Sequence, residues 1–180
     1  CIPAGRDERL GPPSGFPPDQ LSMPVSRYQL VLFDLDGVLF DFHKAEGDAL
    51  QQTFDHFQLP FKPHYLELYR DINRRFWSAF ERGDCTPDEI KRDRFPRFLD
   101  EIGVRGDGVR FGLQYLSELG RCNTLLGDPV PVLESLSGRV TMALLTNGLK
   151  DVQQSRLATS PVRAYFSHIF ISEELGVAKP

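Results

Sequence analysis

Cysteine is scarce in this chain: Cys1, Cys85 and Cys122 lie far apart, and no Cys-x-x-Cys pair is present. That spacing offers neither a zinc framework nor a set of paired disulfides, and it fits a reducing cytoplasm. Long apolar runs are also lacking. The longest are too short for a bilayer-spanning helix, and no charged-then-apolar signal opens the chain, so no membrane partner is expected. There is no surplus of positive charge either: 21 Lys and Arg stand against 25 Asp and Glu, a net charge of −4. A nucleic-acid polymer as partner would call for a basic patch, so that class is set aside. Internal repeats are absent, and so are low-complexity tracts beyond a proline-rich start.

What remains is ordinary globular material. Apolar residues make up 41% and charged residues 26% of 180, enough for one core or a core with a small appendage. Residues 1–22 carry Pro3, Pro12, Pro13, Pro17 and Pro18 among Gly5, Gly11 and Gly15. Such a segment cannot bury enough surface to fold alone, and it is expected to be a disordered N-terminal extension, with Met23 as a start. The chain stops at Lys179-Pro180 with no closing helix, so a C-terminally truncated core is expected.

The stretch Leu30-Val31-Leu32-Phe33 ends abruptly at Asp34 and Asp36, followed by Gly37. An uninterrupted apolar run suits a strand buried on both faces of a parallel sheet. Two carboxylates so close together raise one pKa or demand a cation. Helical periodicity then takes over in four segments. Ala49, Leu50, Thr53, Phe54 and Phe57 mark the first; Tyr65, Leu68, Tyr69, Ile72, Phe76 and Phe80 mark the second, with Gly83 as its stop. Thr86-Pro87-Asp88-Glu89 reads as a capping box opening a third helix, in which Pro96 is expected to cause a kink. Asp107 caps the fourth, with Val109, Leu113, Leu116 and Leu119. Phe76, Trp77 and Phe80 read as core of this bundle, His43 as an opening residue, and Cys85 and Cys122 as inert thiols. After Gly127-Asp128-Pro129 the pattern alternates again: a short helix at Val132–Leu136, a strand at Val140–Leu145, a helix at Val152–Leu157 and a strand at His168–Ile171. This predicts an α/β fold, a doubly wound parallel (Rossmann-like) sheet with a helical insertion. The core is assigned to 23–42 and 127–180, and the helical cap to 43–126.

Each apolar strand runs into a polar cluster: Asp34 and Asp36, then Thr146-Asn147-Gly148, then a segment leading to Lys179. In an open parallel sheet, ligands bind outside the carboxyl ends of the strands. Two carboxylates, a hydroxyl with an amide and backbone N–H groups at a helix start, and a lysine suit a phosphate held between magnesium and an amine. Asp34 is placed to attack phosphorus, splitting one displacement into two. Asp36 is placed to protonate the leaving alkoxide and then to take a proton from water. Lys179 would neutralise charge and hold Asp34 ionised, and Gly37 permits the tight turn that keeps both acids at the strand end. Taken singly, Asp-x-Asp-Gly also fits a solvated turn or a calcium-loop fragment, Thr-Asn-Gly a turn with a helix cap, and Lys179 a surface lysine. The ordered trio, each member after a buried strand, is far more specific.

Phe33-Asp34-Leu35-Asp36-Gly37-Val38-Leu39-Phe40-Asp41, Leu145-Thr146-Asn147-Gly148 and Val177-Ala178-Lys179-Pro180 resemble the first three motifs of the haloacid dehalogenase superfamily of phosphohydrolases. The resemblance covers about residues 28–180, and the helical insertion is similar to the cap of its subfamily I. It implies Asp34 as nucleophile, Asp36 as general acid/base and Lys179 as electrostatic anchor. It further implies Thr146 and Asn147, with Gly148 beside them, as the phosphate-binding segment. Mg2+ would be held by Asp34, the backbone carbonyl of Asp36 and an acid from a fourth motif. The second acid, Asp36, separates the chain from true dehalogenases. Thr146-Asn147-Gly148-Leu149, Gln153-Gln154-Ser155-Arg156-Leu157, Tyr165-Phe166 and Ile171 through Pro180 look most like pyrimidine 5'-nucleotidases. Those enzymes resemble sialic-acid 9-phosphate phosphatases. Phosphosugar mutases share the paired acids but usually carry a different second motif, and a non-catalytic phosphate-binding remnant is a further alternative. The expected substrate is a small phosphorylated metabolite, a nucleoside monophosphate by preference. The fourth motif does not occur, so the 180-residue chain is expected to be poorly active and marginally stable.

Overall fold

The computed structural model describes residues 28–179. The expectation for residues 1–22 lies outside them. Strand β1 (Leu30–Phe33) leads into four helices, α1 (Phe42–His56), α2 (Pro63–Glu81), α3 (Pro87–Glu101) and α4 (Gly108–Arg121). The chain returns through α5 (Val130–Leu136), β2 (Thr141–Thr146), α6 (Lys150–Ala158), a 3-10 turn at Pro161–Tyr165, β3 (His168–Ile171) and α7 (Ser172–Leu175). The strands lie side by side in the order β1-β2-β3, all parallel. The expected α/β class, parallel sheet and inserted helical cap are therefore present. Among the described residues no helix is long and apolar enough to cross a membrane.

The cap helices start where their sequence dictates. Asp41 caps α1 by accepting from the Lys44 N–H at 2.9 Å, and Asp107 caps α4 by accepting from the Arg110 N–H at 3.0 Å. Thr86 and Glu89 form the full reciprocal capping box of α3, with Pro87 at the first helical position. Pro96 lies inside α3 without ending it. The cap core is aromatic. Phe54 packs edge-on against Phe98 and Phe111 and stacks on Tyr65, while Tyr69 stacks on Phe95 at 5.3 Å between ring centres. Offset and edge-on pairs of this kind add roughly 0.5–1.5 kcal/mol each beyond the area they bury. Phe76, Trp77 and Phe80 are less central than their periodicity implies. All three are half-buried, Phe76 and Trp77 at the margin of this cluster.

A second cluster lies under the sheet. Met142 and Leu144 of β2 pack there with Leu133 of α5, Leu157 of α6, and Val162 and Phe166 around the 3-10 turn. The reading of β1 as buried on both faces needs correction. Leu30 and Leu32 are 50% and 52% exposed, and Phe170 of β3, two strands away in the same sheet, is also open. The reason is geometric: α5, α6 and the 3-10 turn supply the second cluster from one side of the sheet. Among the described residues nothing comparable covers the Leu30/Leu32 side.

Cap and core are joined at two crossing segments and along α6. The Asp41 N–H donates to the Thr124 carbonyl at 3.0 Å, and the Leu126 N–H to the Leu39 carbonyl at 2.9 Å. Leu149 and Val152, at the start of α6, are part of the cap cluster. Lys91 of α3 forms an ion pair with Glu173 of α7. These contacts seat the cap over the carboxyl ends of the strands, where the polar clusters are.

Candidate active site

Parallel pairing puts Phe33 of β1 level with Leu144 of β2, and Leu145 of β2 level with Phe170 of β3. The three strands therefore end together. Asp34, Asp36, Thr146, Asn147, Gly148 and Lys179 all line one cavity of about 250 Å³, closed on the cap side by Trp77, Arg94 and Tyr115. The three polar clusters expected from the sequence are thus at one site.

Asp34 uses both carboxylate oxygens. Oδ1 accepts the Leu35 N–H at 2.8 Å, and Oδ2 pairs with Lys179 Nζ. Lys179 is 145 positions away along the chain and reaches the site because its own backbone is pinned. Its N–H donates to Asn147 Oδ1 at 2.8 Å, and the Ser172 hydroxyl donates to the same oxygen at 2.6 Å. Asn147 thereby ties the end of β3 and the lysine segment to the end of β2. That is a positioning task which the sequence reading, with its phosphate-ligand assignment, did not include.

Thr146 is fully buried. Its hydroxyl accepts from the Gly148 N–H at 3.2 Å and from Gln153 Nε2 at 3.0 Å. A hydroxyl that accepts two bonds still has its own proton to give, and Thr146 lines the cavity. The Gly148 N–H, expected to face a phosphate, is turned to Thr146. Gly148 contributes space instead, because a Cβ there would stand 2.1 Å from Gln153 Nε2. Gly37, with φ of +75°, makes the turn after the second acid.

Asp36 is held by two side chains that the polar-cluster reading missed. Arg156 Nη1 donates to its Oδ1 at 2.5 Å and Gln153 Nε2 to its Oδ2 at 2.6 Å. Arg156 has no solvent exposure; its Nε donates to the Cys122 carbonyl at 2.7 Å and its guanidinium lies 4.7 Å over the Phe40 ring. A signal was available. Gln153 and Arg156 are three apart, on one face of the helix that opens after Thr146-Asn147-Gly148, and polar residues on a core-facing stripe need partners.

Gly148→Ala is the local test of this arrangement. The methyl would displace Gln153 from Asp36 and Thr146, and kcat/KM should fall by roughly 10²-fold, as for misplacements of about 1 Å in other sites. Steady-state kinetics beside an unchanged thermal midpoint would establish it, and an unaltered kcat/KM would contradict it.

The oxygen donors at the site are those a hard cation would need. Among the described residues no three His, Cys, Asp or Glu side chains cluster together. The Asp36 carboxylate is engaged by Gln153 and Arg156. The oxygen donors left are the Asp34 carboxylate and the Asp36 backbone carbonyl, which the backbone bonds of the 35–40 turn bypass. Magnesium is commonly bound through one or two carboxylates, with waters and substrate phosphate completing its shell, so this donor set fits.

In the cap, burial pushes the Tyr69 hydroxyl up to about 12 and the Tyr115 hydroxyl well above its ordinary value, against the opposing pull of Arg94, so both stay protonated. Burial likewise raises the thiols of Cys85 and Cys122, in keeping with inert cysteines.

The description "haloacid dehalogenase-like hydrolase" matches residues 28–180. This chain belongs to the haloacid dehalogenase-like hydrolases. Among its relatives, HAD-hydrolase YfnB of Bacillus subtilis is 33% identical over 156 residues, covering 87% of this chain and 66% of that protein. Pyrimidine 5'-nucleotidase PynA of Streptococcus pneumoniae is 32% identical over 154 residues, covering 85% of this chain and 65% of that protein. This hydrolase-family chain thus spans just under two thirds of the length of either. A crystal structure of YfnB, described as bound to magnesium and as revealing interdomain movement, superposes with a TM-score of 0.81 at 33% identity. That match covers 85% of this chain and 69% of the YfnB chain.

Proposed function

We propose that this chain carries the phosphoryl-transfer site of a magnesium-dependent phosphomonoesterase that works through an aspartyl-phosphate. Its proposed substrates are pyrimidine nucleoside 5'-monophosphates. The observation that carries the reading is the ion pair between Lys179 and Asp34, which joins the last polar cluster of the chain to the first. Asp34 attacks phosphorus through a carboxylate oxygen, and the bond from phosphorus to the leaving oxygen breaks as the new P–O bond forms. Asp36 gives a proton to that leaving oxygen. It then takes one from the water that opens the aspartyl-phosphate, releasing phosphate and restoring Asp34. Lys179 and the Thr146 O–H face the charge on the transferring phosphoryl oxygens. Magnesium, held by the Asp34 carboxylate and the Asp36 carbonyl, would reduce repulsion between Asp34 and the phosphate dianion.

The pyrimidine choice rests on the similarity to PynA and to a second pyrimidine 5'-nucleotidase, YjjG of Escherichia coli, at 32% and 28% identity. It also rests on the aromatic cap wall of Trp77 and Tyr115, against which a flat base stacks. The reading carries with it a small phosphorylated metabolite as partner and, from the free thiols of Cys85 and Cys122, a reducing compartment such as the cytoplasm. The test is phosphate release from a panel of nucleoside monophosphates with added magnesium and after chelation. Release from pyrimidine nucleotides that rises with magnesium and collapses on chelation is expected. Release that favours purine nucleotides, or that ignores the metal, would overturn the assignment.

A further inference from the structure

The cap wall of the cavity holds a cation that the proposed chemistry does not use. Arg94 of α3 is only 3% exposed and lines the same cavity as Asp34 and Thr146. Its one hydrogen bond among the described residues runs from Nη1 to Asn73 Oδ1 at 2.6 Å. Nε and Nη2 are buried with no partner at all. A guanidinium has five N–H donors, so the Nε–H and both N–H groups of Nη2 go unanswered.

Burying a charge without a counter-charge costs several kcal/mol, and a cap under no functional constraint has no reason to retain one. The buried carboxylates that might have answered it are taken, and Glu81, which also lines the cavity, is exposed. Glu46, the buried acid of α1, is bound by Arg70 Nε at 2.6 Å. Glu118, the buried acid of α4, is bound by Gln114 at 2.6 Å and paired with Arg121. What surrounds Arg94 instead is a cage of rings: its guanidinium carbon is 4.9 Å from the Phe95 ring centre, 5.5 Å from Tyr115 and 5.7 Å from Tyr69. Ring faces stabilise a cation but accept no ordinary hydrogen bond, so they hold the guanidinium in place without satisfying its edge. Asn73 fixes one end of that edge. The result is an oriented, desolvated donor set at the margin of the cavity that Asp34 and Thr146 also line.

We propose that Arg94 is a specificity-determining residue of the cap, and that its free N–H groups receive an oxygen acceptor on the leaving group of the substrate. The acceptor is a ring carbonyl or a carboxylate, both of which match a guanidinium edge. The assignment rests on the phosphomonoesterase reading above and adds to it the side of the substrate remote from phosphorus. A leaving group with only apolar surface leaves Arg94 as it is; one with a suitably placed oxygen completes it. Discrimination of this kind is strong, because a site built to bond a polar group leaves its own groups unpaired when the group is missing.

The experiment compares three phosphomonoesters in the intact protein: uridine monophosphate, with a keto base; 6-phosphogluconate, with a carboxylate; and phenyl phosphate, with no acceptor beyond its phosphate. Arg94→Met should lower kcat/KM by roughly 10–100-fold on the ester whose oxygen Arg94 receives, the range expected for a hydrogen bond to a charged group. Phenyl phosphate should stay within about twofold, and this also reports that the variant folds. The arm that falls identifies a base carbonyl or a carboxylate. Equal losses on all three esters, or no loss on any, would overturn the proposal. Arg94→Lys keeps the charge without the fork and should recover only part of the loss. A second readout separates this inference from the hydrolytic reading. Trp77, the single tryptophan of the chain, lines the cavity and reports occupancy by its fluorescence. In the Asp34→Asn background, uridine monophosphate or 6-phosphogluconate, whichever carries the oxygen that Arg94 receives, should titrate Trp77 about tenfold more weakly once Arg94 is Met. If no ester is hydrolysed and that shift is seen, the hydrolytic reading falls and the Arg94 assignment stands. A titration unshifted with both esters, beside normal hydrolysis, removes the Arg94 assignment alone.

Discussion

Asp34→Asn should abolish phosphate release, by roughly 10⁴-fold or more, since removing a nucleophile eliminates the covalent route altogether. The substitution changes almost nothing else. Asparagine has the same outline, and its Oδ1 can still accept the Leu35 N–H that Asp34 accepts at 2.8 Å. The ion pair with Lys179 is lost, but both side chains are partly exposed, so the stability change should stay within about 1 kcal/mol. Single-turnover measurements of phosphate release, with a melting curve beside them, are the appropriate check. An Asp34→Asn protein that keeps an appreciable fraction of the parent rate would remove Asp34 from the nucleophile's role.

The second large effect concerns Arg156. Arg156→Met should destabilise the fold by about 2–3 kcal/mol: Asp36, a quarter exposed at the cavity, keeps some solvent, but the Cys122 carbonyl and the Asp36 carboxylate both lose a donor. Four interactions go at once: the 2.5 Å bond to Asp36, the 2.7 Å bond to the Cys122 carbonyl, the 3.1 Å bond to Gln153 Oε1, and the guanidinium over Phe40. These connect the first acidic turn, the end of α4 and α6, so the loss falls on the junction of cap and core. Activity should fall as well, by roughly 10²-fold or more, because Asp36 loses the donor that orients it as general acid and base. Arg156→Lys should rescue little, since one ammonium cannot reach both oxygens in the plane of the guanidinium. Urea titration gives the stability term. A midpoint shift corresponding to less than about 1 kcal/mol would show that the network is dispensable to the fold.

Much of this architecture can be read directly along the chain. β3 was expected at His168–Ile171 and is found there, and the expected strand at Val140–Leu145 is displaced by one residue, to Thr141–Thr146. The capping box at Thr86 and the Asp107 cap are local hydrogen-bond patterns, set by residues three apart. The paired acids, Thr146 and Lys179 were legible because each follows an apolar strand, and parallel strands bring their carboxyl ends to one edge. The burial of β1 was not legible in the same way. An apolar run states that Leu30 and Leu32 tolerate burial, not that a helix is placed over them.

By itself, then, the sequence determined the order of strands and helices, the caps that start them, and the presence of a phosphate-type residue set at the strand ends. Tertiary structure alone decided which side chains serve that set. Gln153 and Arg156 grip Asp36 from 117 and 120 positions away, Asn147 is spent on anchoring Lys179, and Arg94 reaches the cavity from a helix whose pattern marks only its core face. Periodicity records which face of an element is buried. The partner of a buried polar group depends on how distant elements pack, and that relation has no local signature in the chain.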